Sequence, residues 1–261
     1  MAEPAVRLGG MALQNGVLVH GPTAWGCAVR DAEGVLHVAS ARKPVVAPRA
    51  RRRVPLLRGP LVLADAFALL PAVRRELPEA RLPFERPAVI GAIAVSVLGA
   101  RLLRGARSSP AREIAVGALG LLPATLALRG PELASYHGAE HISIGTYERG
   151  GERAPKEHPR CGSQLVAPLV ATTLAANLVA ARLPAGVRRA GRILGALAAI
   201  GVALELHAWA VRNPNRALAR AVSRPGFELQ RRLSTAEPSA AQLEVADAAR
   251  DACLALELRA A

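Results

Sequence analysis

Residues 165–181 read LVAPLVATTLAANLVAA, a run without a charged side chain. Three more charge-free runs occupy residues 87–100, 114–128 and 193–204, and arginines flank all four. A helix needs about 20 residues, within a range of about 17 to 25, to cross the hydrocarbon core of a membrane. The run at 165–181 reaches that range, and the long arms of the flanking arginines extend the effective length of the other three.

These runs predict helices over residues 87–104, 112–134, 164–182 and 190–212, paired as two helical hairpins. Four helices that are apolar on every side need a membrane or a large soluble shell around them. The rest of the chain is too short to supply that shell. We therefore expect a mainly α fold, a four-helix membrane-embedded apolar bundle whose partner is the lipid bilayer. The alternative is a soluble bundle of buried, Ala-rich helices.

The remaining segments form smaller units around this bundle. Strand-like stretches at 16–20, 26–30 and 35–39, with a glycine-containing turn at 31–34, predict a small N-terminal β-hairpin region. Ser239 and Gln242 fit a capping box and predict a C-terminal amphipathic helix. The expected organisation is a strand and turn region with a basic linker (1–54), an amphipathic helix (55–86), the first apolar hairpin (87–134), a His/Cys loop (135–163), the second apolar hairpin (164–212) and a C-terminal tail (213–261).

The chemistry of the chain is concentrated in Tyr136-His137-Gly138-Ala139-Glu140-His141. On a helix, His137 and His141 lie four residues apart on one face, close enough to share a metal ion. Glu140 lies beside them. This H-x-x-E-H order is the reverse of the zinc-hydrolase helix H-E-x-x-H, in which the carboxylate takes a proton from metal-bound water. We therefore predict two metal ligands and one catalytic residue, Glu140.

Two histidines need further ligands, because zinc prefers four positions, one of them open in a catalytic site. His158 and Cys161 follow His141 at a spacing that lets one turn aim both at the same ion. Glu148 lies between the two clusters, and Glu205 interrupts the last apolar helix, where an ionisable group suggests a functional site. The predicted ligands are thus His137, His141, His158, Cys161, Glu148 and Glu205, with zinc as the expected cofactor and another divalent metal as the alternative.

Charge and cysteine usage set the expected location. The net charge is +14, but the basic residues border apolar segments and do not form a face with stacking aromatics, so we expect no nucleic-acid partner. Lys and Arg are more numerous on the side of the His/Cys loop, and the positive-inside rule then places that loop and both termini in the cytoplasm of a multi-pass cell-membrane protein. Three cysteines without disulfide spacing agree with a reducing compartment.

Several motifs resemble those of the YqhQ-like family of bacterial membrane proteins, which has a domain of unknown function (DUF1385) and is predicted to be metal-dependent. The most specific are residues 136–141, Tyr147-Glu148 and residues 158–162. Residues 9–17 and 55–59 are similar to the family's opening motifs, and Glu205, Gln230 and Thr235 match its last helix and tail. Asn15 stands where the family usually has Glu. The resemblance implies a membrane protein with a His/Cys/Glu site, but it implies no reaction.

Three functions remain open at this point. In the first, a metal-dependent hydrolase, Glu140 acts as general base beside a metal with one open position. In the second, His137, His141, His158 and Cys161 close a structural zinc knot. In the third, the chain is a non-enzymatic membrane scaffold or a transporter-like protein, and the same side chains form a buried hydrogen-bonded network.

Overall fold

Four antiparallel strands open the chain and pair in sequence order: β1 (Gly9–Leu13), β2 (Gly16–His20), β3 (Ala24–Arg30) and β4 (Leu36–Arg42). The predicted hairpin is confirmed as the pairing of β3 with β4, in which Arg30 lies opposite Leu36. Strand β1 was not predicted. The computed structural model describes residues 6–43, 55–105, 109–127 and 130–259.

Both faces of this sheet are covered. Alternate residues of a strand point to opposite faces, and here both sets are apolar: Val17 and Val19 face one side, whereas Leu18 faces the other. On one side the sheet meets two helices, α5 (Pro131–Glu148) and the C-terminal α9 (Ala240–Leu258). The sheet is therefore the middle layer of a sandwich, and its edge strand β4 remains exposed at alternate residues, among them Val38.

After α1 (Pro55–Ala68), the chain reaches the other face of the sheet, which packs on Leu69, on α2 (Leu70–Glu76) and on the segment that follows α2. Trp25 of β3, only 1% exposed, lies in this core with Leu69 and Val73. The predicted helical region 55–86 is thus two helices followed by a 3₁₀ turn at Pro83–Glu85.

The predicted capping box at the start of α9 is confirmed, since Ser239 accepts a hydrogen bond from the Gln242 backbone and the Gln242 side chain accepts one from the Ser239 backbone. Helix α9 packs closely on β3 at Gly26. A Cβ atom at residue 26 would lie 2.3 Å from the carbonyl oxygen of Ala249, so only glycine permits this packing.

The apolar segments form α3 (Pro87–Gly105), α4 (Pro110–Ala127), α6 (Val166–Ala181) and α7 (Ala185–Arg212). Helix α3 packs on α4 and α6 packs on α7, as the two predicted hairpins require. A 3₁₀ turn, Gly162–Leu165, leads into α6.

One predicted helix, 112–134, is wrong as a single element. Helix α4 ends at Ala127, and α5 begins at Pro131 with its axis turned by 85°. Gly130, with φ +138°, supplies a conformation that other residues rarely adopt. Pro131 has no N–H to continue a preceding helix and disfavours helical geometry in the residue before it. The turn directs α5 onto the sheet and α9.

Within the described residues, two helical stretches are long and apolar enough to cross a membrane, Gly162–Ala181 and Gly186–Arg212. The count is three if the bent pair α4 and α5 forms one span, and Pro87–Leu103 is apolar but shorter. Exposed apolar side chains cover α3 and α7, among them Ile93, Leu98, Leu102, Leu194 and Leu197. The chain is therefore mainly helical with a small sheet, and its length and composition are consistent with a membrane protein.

Candidate metal centre

Helix α5 carries the H-x-x-E-H motif on a buried stretch. His137 and His141 lie one turn apart, with their ring centroids 4.4 Å from each other. Both imidazoles are buried because α5 is covered by the sheet and α9 on one side and by the segment after the helix on the other. The sequence prediction that the two histidines share a face is confirmed.

Cys161 reaches the same point from the segment that precedes the 3₁₀ turn Gly162–Leu165. Its Sγ lies 3.3 Å from Nε2 of His137. One ligand atom from each of His137, His141 and Cys161 lies within 4.8 Å of the others. A tetrahedral zinc ion separates such ligand atoms by about 3.3 to 3.8 Å, so this group could hold a metal ion after a small inward movement of its side chains.

Both histidines are oriented through their second ring nitrogen. Nδ1 of His137 donates to the carbonyl oxygen of Ser234 at 2.8 Å, and Nδ1 of His141 donates to that of Lys156 at 2.6 Å. A carbonyl only accepts, so Nδ1 must carry the proton and Nε2 keeps its lone pair. Nε2 of His141 is buried and makes no hydrogen bond within the described residues. Carbonyl partners of this kind also orient the histidines of metal sites.

The ionisation of the group also suits a metal. Burial lowers the pKa of His141, and although the neighbouring Cys161 opposes this effect, the pKa stays below its ordinary value, which favours the neutral imidazole. Burial raises the pKa of the Cys161 thiol, but the interactions with His141 and Ser163 outweigh this effect and leave the pKa below its ordinary value. Metal ligands must be neutral imidazole and thiolate, and the surroundings favour both forms.

Glu140 lies beside this group and is held by β1. Its carboxyl group packs against Gly10 and accepts a hydrogen bond from the backbone of Ala12. Burial raises the pKa of Glu140 to about 8, despite the opposing effects of His137 and of the Ala12 hydrogen bond. A carboxyl group with a pKa near neutrality is suited to accept and release protons. The contact with β1 was not predicted from the sequence.

The structure does not bring the other predicted ligands into the group of three. Nε2 of His158 lies 3.3 Å from a carboxylate oxygen of Glu148, and Arg160 forms an ion pair with the same carboxylate. The His158 ring is a neighbour of His141, with centroids 5.5 Å apart. Glu205 lies on α7, half-buried, and is not part of the group. His158, Glu148 and Arg160 instead form a second polar group beside the first.

Burial raises the pKa of the Glu148 carboxyl, but the hydrogen bonds from His158 and Arg160 lower it by more, so its net pKa is below the ordinary value. The carboxylate is therefore ionised at neutral pH. The carboxylate is already hydrogen-bonded to His158 and Arg160, so it does not need a metal ion as a further partner.

Gln230 organises the centre, although the sequence motifs placed it only in the tail. Gln230, 0% exposed, begins a π-helical turn, Gln230–Ser234. Its side-chain oxygen accepts from the backbone N–H of His158 at 2.7 Å, and its amide nitrogen donates to the His158 carbonyl and to Ser163 Oγ. The same turn ends at Ser234, whose carbonyl orients His137. This turn therefore fixes both the segment of Cys161 and the helix of the histidines.

The fold and the site together define a class: mainly helical proteins in which a small sheet packs on the helix that carries two buried histidines, and a partly buried cysteine meets them from the following segment. Residues 132–256 match the model of the family described as Protein of unknown function (DUF1385). The match confirms the resemblance to the DUF1385 family for the motifs that lie within residues 132–256, a range that includes the three converging residues and Glu140. No curated protein and no solved structure matches the chain.

Proposed function

We propose that this chain is an integral membrane, metal-dependent hydrolase with zinc held by His137, His141 and Cys161. The observation that carries the proposal is the convergence of the three ligand atoms within 4.8 Å while both histidines keep Nε2 available. Three protein ligands leave the fourth position of a tetrahedral ion open, which is the pattern of catalytic zinc sites.

The donor set also selects among metals. A thiolate and two imidazoles suit zinc or another divalent transition metal, whereas magnesium and calcium prefer oxygen ligands. The buried Nε2 of His141 supports the fit, because a buried polar atom without a partner is costly unless an unseen group satisfies it. When bound, zinc supplies Lewis acidity and makes water a better nucleophile at neutral pH.

Each residue around the metal centre then has its own role. Glu140 would accept a proton at its carboxylate as general base, and the positive charge of a bound divalent metal would favour the ionised form that this role needs. The backbone N–H of Ala12 and the close wall at Gly10 fix the position of that carboxylate. The carbonyls of Ser234 and Lys156 hold the two imidazoles in place.

The membrane part of the proposal rests on the apolar helices. We propose that α3, α4, α6 and α7 form a four-helix bundle in the lipid bilayer, with the centre and both termini on the cytoplasmic side. The support is the two long apolar stretches, the exposed apolar side chains of α3 and α7, and the distribution of arginines.

The second candidate is a structural zinc knot in a non-enzymatic membrane scaffold. It is favoured by the fact that the group joins two separate segments, helix α5 and the segment at 156–161, while His137 also contacts the π-helical turn through Ser234. A metal that ties such segments together contributes to folding.

The decisive experiment is metal analysis of the purified protein together with Glu140→Gln. We expect about one zinc per chain in both forms, from the three ligands, and a loss of hydrolysis in Glu140→Gln of about 100- to 10,000-fold over a panel of ester, amide and phosphoester substrates. Gentle purification that yields a folded protein without stoichiometric metal would overturn the metal site. Full metal content with no hydrolysis of any panel member by the parent would support the structural knot.

A further inference from the structure

Helix α8 (Ala217–Leu229) lies across the ends of the two longest apolar stretches. It begins five residues after α7 ends at Arg212, and its buried Gly226 faces the turn that opens the stretch Gly162–Ala181. A Cβ atom at residue 226 would lie 2.6 Å from Cα of Gln164. Where those stretches leave a membrane, α8 must therefore lie at its surface.

The sides of α8 match such a position. One side is apolar and open: Leu218 is 61% exposed, and Pro225 and Leu229 follow it at intervals that place them on the same side of a helix. On the other side, Arg216, Arg220 and Arg224 recur every four residues and are exposed. Among the described residues, no carboxylate forms an ion pair with any of these three arginines.

A surface helix with one apolar and one cationic side is the pattern of helices that lie in the membrane interface. Its arginines are attracted to anionic headgroups, and its apolar side enters the upper part of the acyl chains. If both sides of α8 faced water, the exposure of the apolar Leu218 side chain beside two apolar stretches would have no structural explanation.

We propose that α8 lies in the headgroup layer of an anionic leaflet, with Leu218 facing the acyl chains and the arginines facing lipid phosphates. This proposal rests on the membrane part of the proposed function. It also sets the depth of the candidate metal centre, because Cys161 comes three residues before Gln164, against which α8 packs. The centre then lies at the level of the headgroups.

The test is fluorescence quenching by brominated lipids in nanodiscs. The background carries Trp209→Phe, and Trp25 remains because it is buried in the sheet. Leu218→Trp should be quenched more strongly by bromines near the glycerol end of the acyl chain than by bromines at its middle. Leu197→Trp, on the exposed side of α7, is the matched control and should show the opposite order.

The quenching of the two tryptophans separates the position of α8 from the membrane assignment. If Leu197→Trp is quenched and Leu218→Trp is not, α8 does not lie in the interface and the proposal is overturned, although the membrane assignment stands. If neither is quenched, the membrane part of the proposed function is overturned as well.

The charge of the leaflet is tested in the same samples. Adding phosphatidylglycerol to phosphatidylcholine should increase quenching of Leu218→Trp, and Arg220→Gln with Arg224→Gln should abolish that increase. The matched control, Arg149→Gln with Arg259→Gln, removes two exposed charges elsewhere and should retain it. An increase of equal size in both double variants would overturn the role of the α8 arginines.

Discussion

Gly10 of β1 leaves no room for a side chain beside Glu140 of α5. A Cβ atom at residue 10 would lie 2.5 Å from Glu140 Oε1 and less than 3 Å from two more atoms of the same side chain. Glu140 is itself buried, so it has little freedom to move away. The position of the proposed base is thus set by the absence of a side chain on a neighbouring strand.

Gly10→Ala should therefore destabilise the fold, and overpacking of this kind typically costs about 1–3 kcal/mol. This destabilisation should depend on the Glu140 side chain, because shortening Glu140 removes the clash. Thermal unfolding of Gly10→Ala, Glu140→Ala and the double variant measures it. We expect the double variant to be more stable than the sum of the single effects, and strict additivity would show that the contact does not constrain Glu140.

The ligand set gives a second prediction. His137→Ala, His141→Ala and Cys161→Ser should each lose stoichiometric zinc, because each removes one of three converging ligand atoms. His158→Ala should retain it, since the His158 imidazole is paired with Glu148. Elemental analysis of the four variants makes the comparison. Loss of zinc in His158→Ala to the same degree would make His158 a fourth ligand.

The raised pKa of Glu140 gives a pH dependence in the metal-free protein. Between pH 4.5, its ordinary pKa, and about 8, the folded chain holds a proton that the unfolded chain releases. Stability should therefore fall as pH rises through this window and level off above it. Glu140→Gln should remove this part of the slope, which thermal unfolding at a series of pH values would show.

The zinc-loaded protein is the control for that measurement. A nearby positive charge favours the carboxylate and moves its titration to lower pH, so the slope between pH 4.5 and 8 should be weaker with zinc bound. A slope that is equally steep in Glu140→Gln would assign the pH dependence to another group.

Gln230→Met tests the role of the π-helical turn. Methionine keeps the approximate shape but leaves the backbone N–H and carbonyl of His158 without their partner. We expect lower thermal stability and a metal affinity reduced by about 10- to 100-fold, as for other residues that orient metal ligands. Gln242→Met, at the exposed start of α9, is the matched control. Unchanged zinc affinity in Gln230→Met would limit Gln230 to a structural role.

The sequence by itself determined three of the four apolar helices, the pairing of His137 with His141, and the capping box of α9, but not the break between α4 and α5. These depend on interactions between residues close in the chain: charge-free runs, four-residue spacing and local hydrogen bonds. The Tyr136–His141 motif and Cys161 also pointed to a metal site, because they lie within one short stretch.

The tertiary structure decided which distant segments contact the stretch from Tyr136 to Cys161. Gly10 and Ala12 hold Glu140, and Ser234 holds His137, across separations of about one hundred residues or more along the chain. Gln230 holds the segment of His158 across a shorter separation. The convergence of Cys161, and not of His158, with the two histidines is also tertiary, because His158 is paired with Glu148, which Arg160 also contacts. Spacing restricts which residues can meet, but only the packing of β1 and the π-helical turn against α5 selects which ones do.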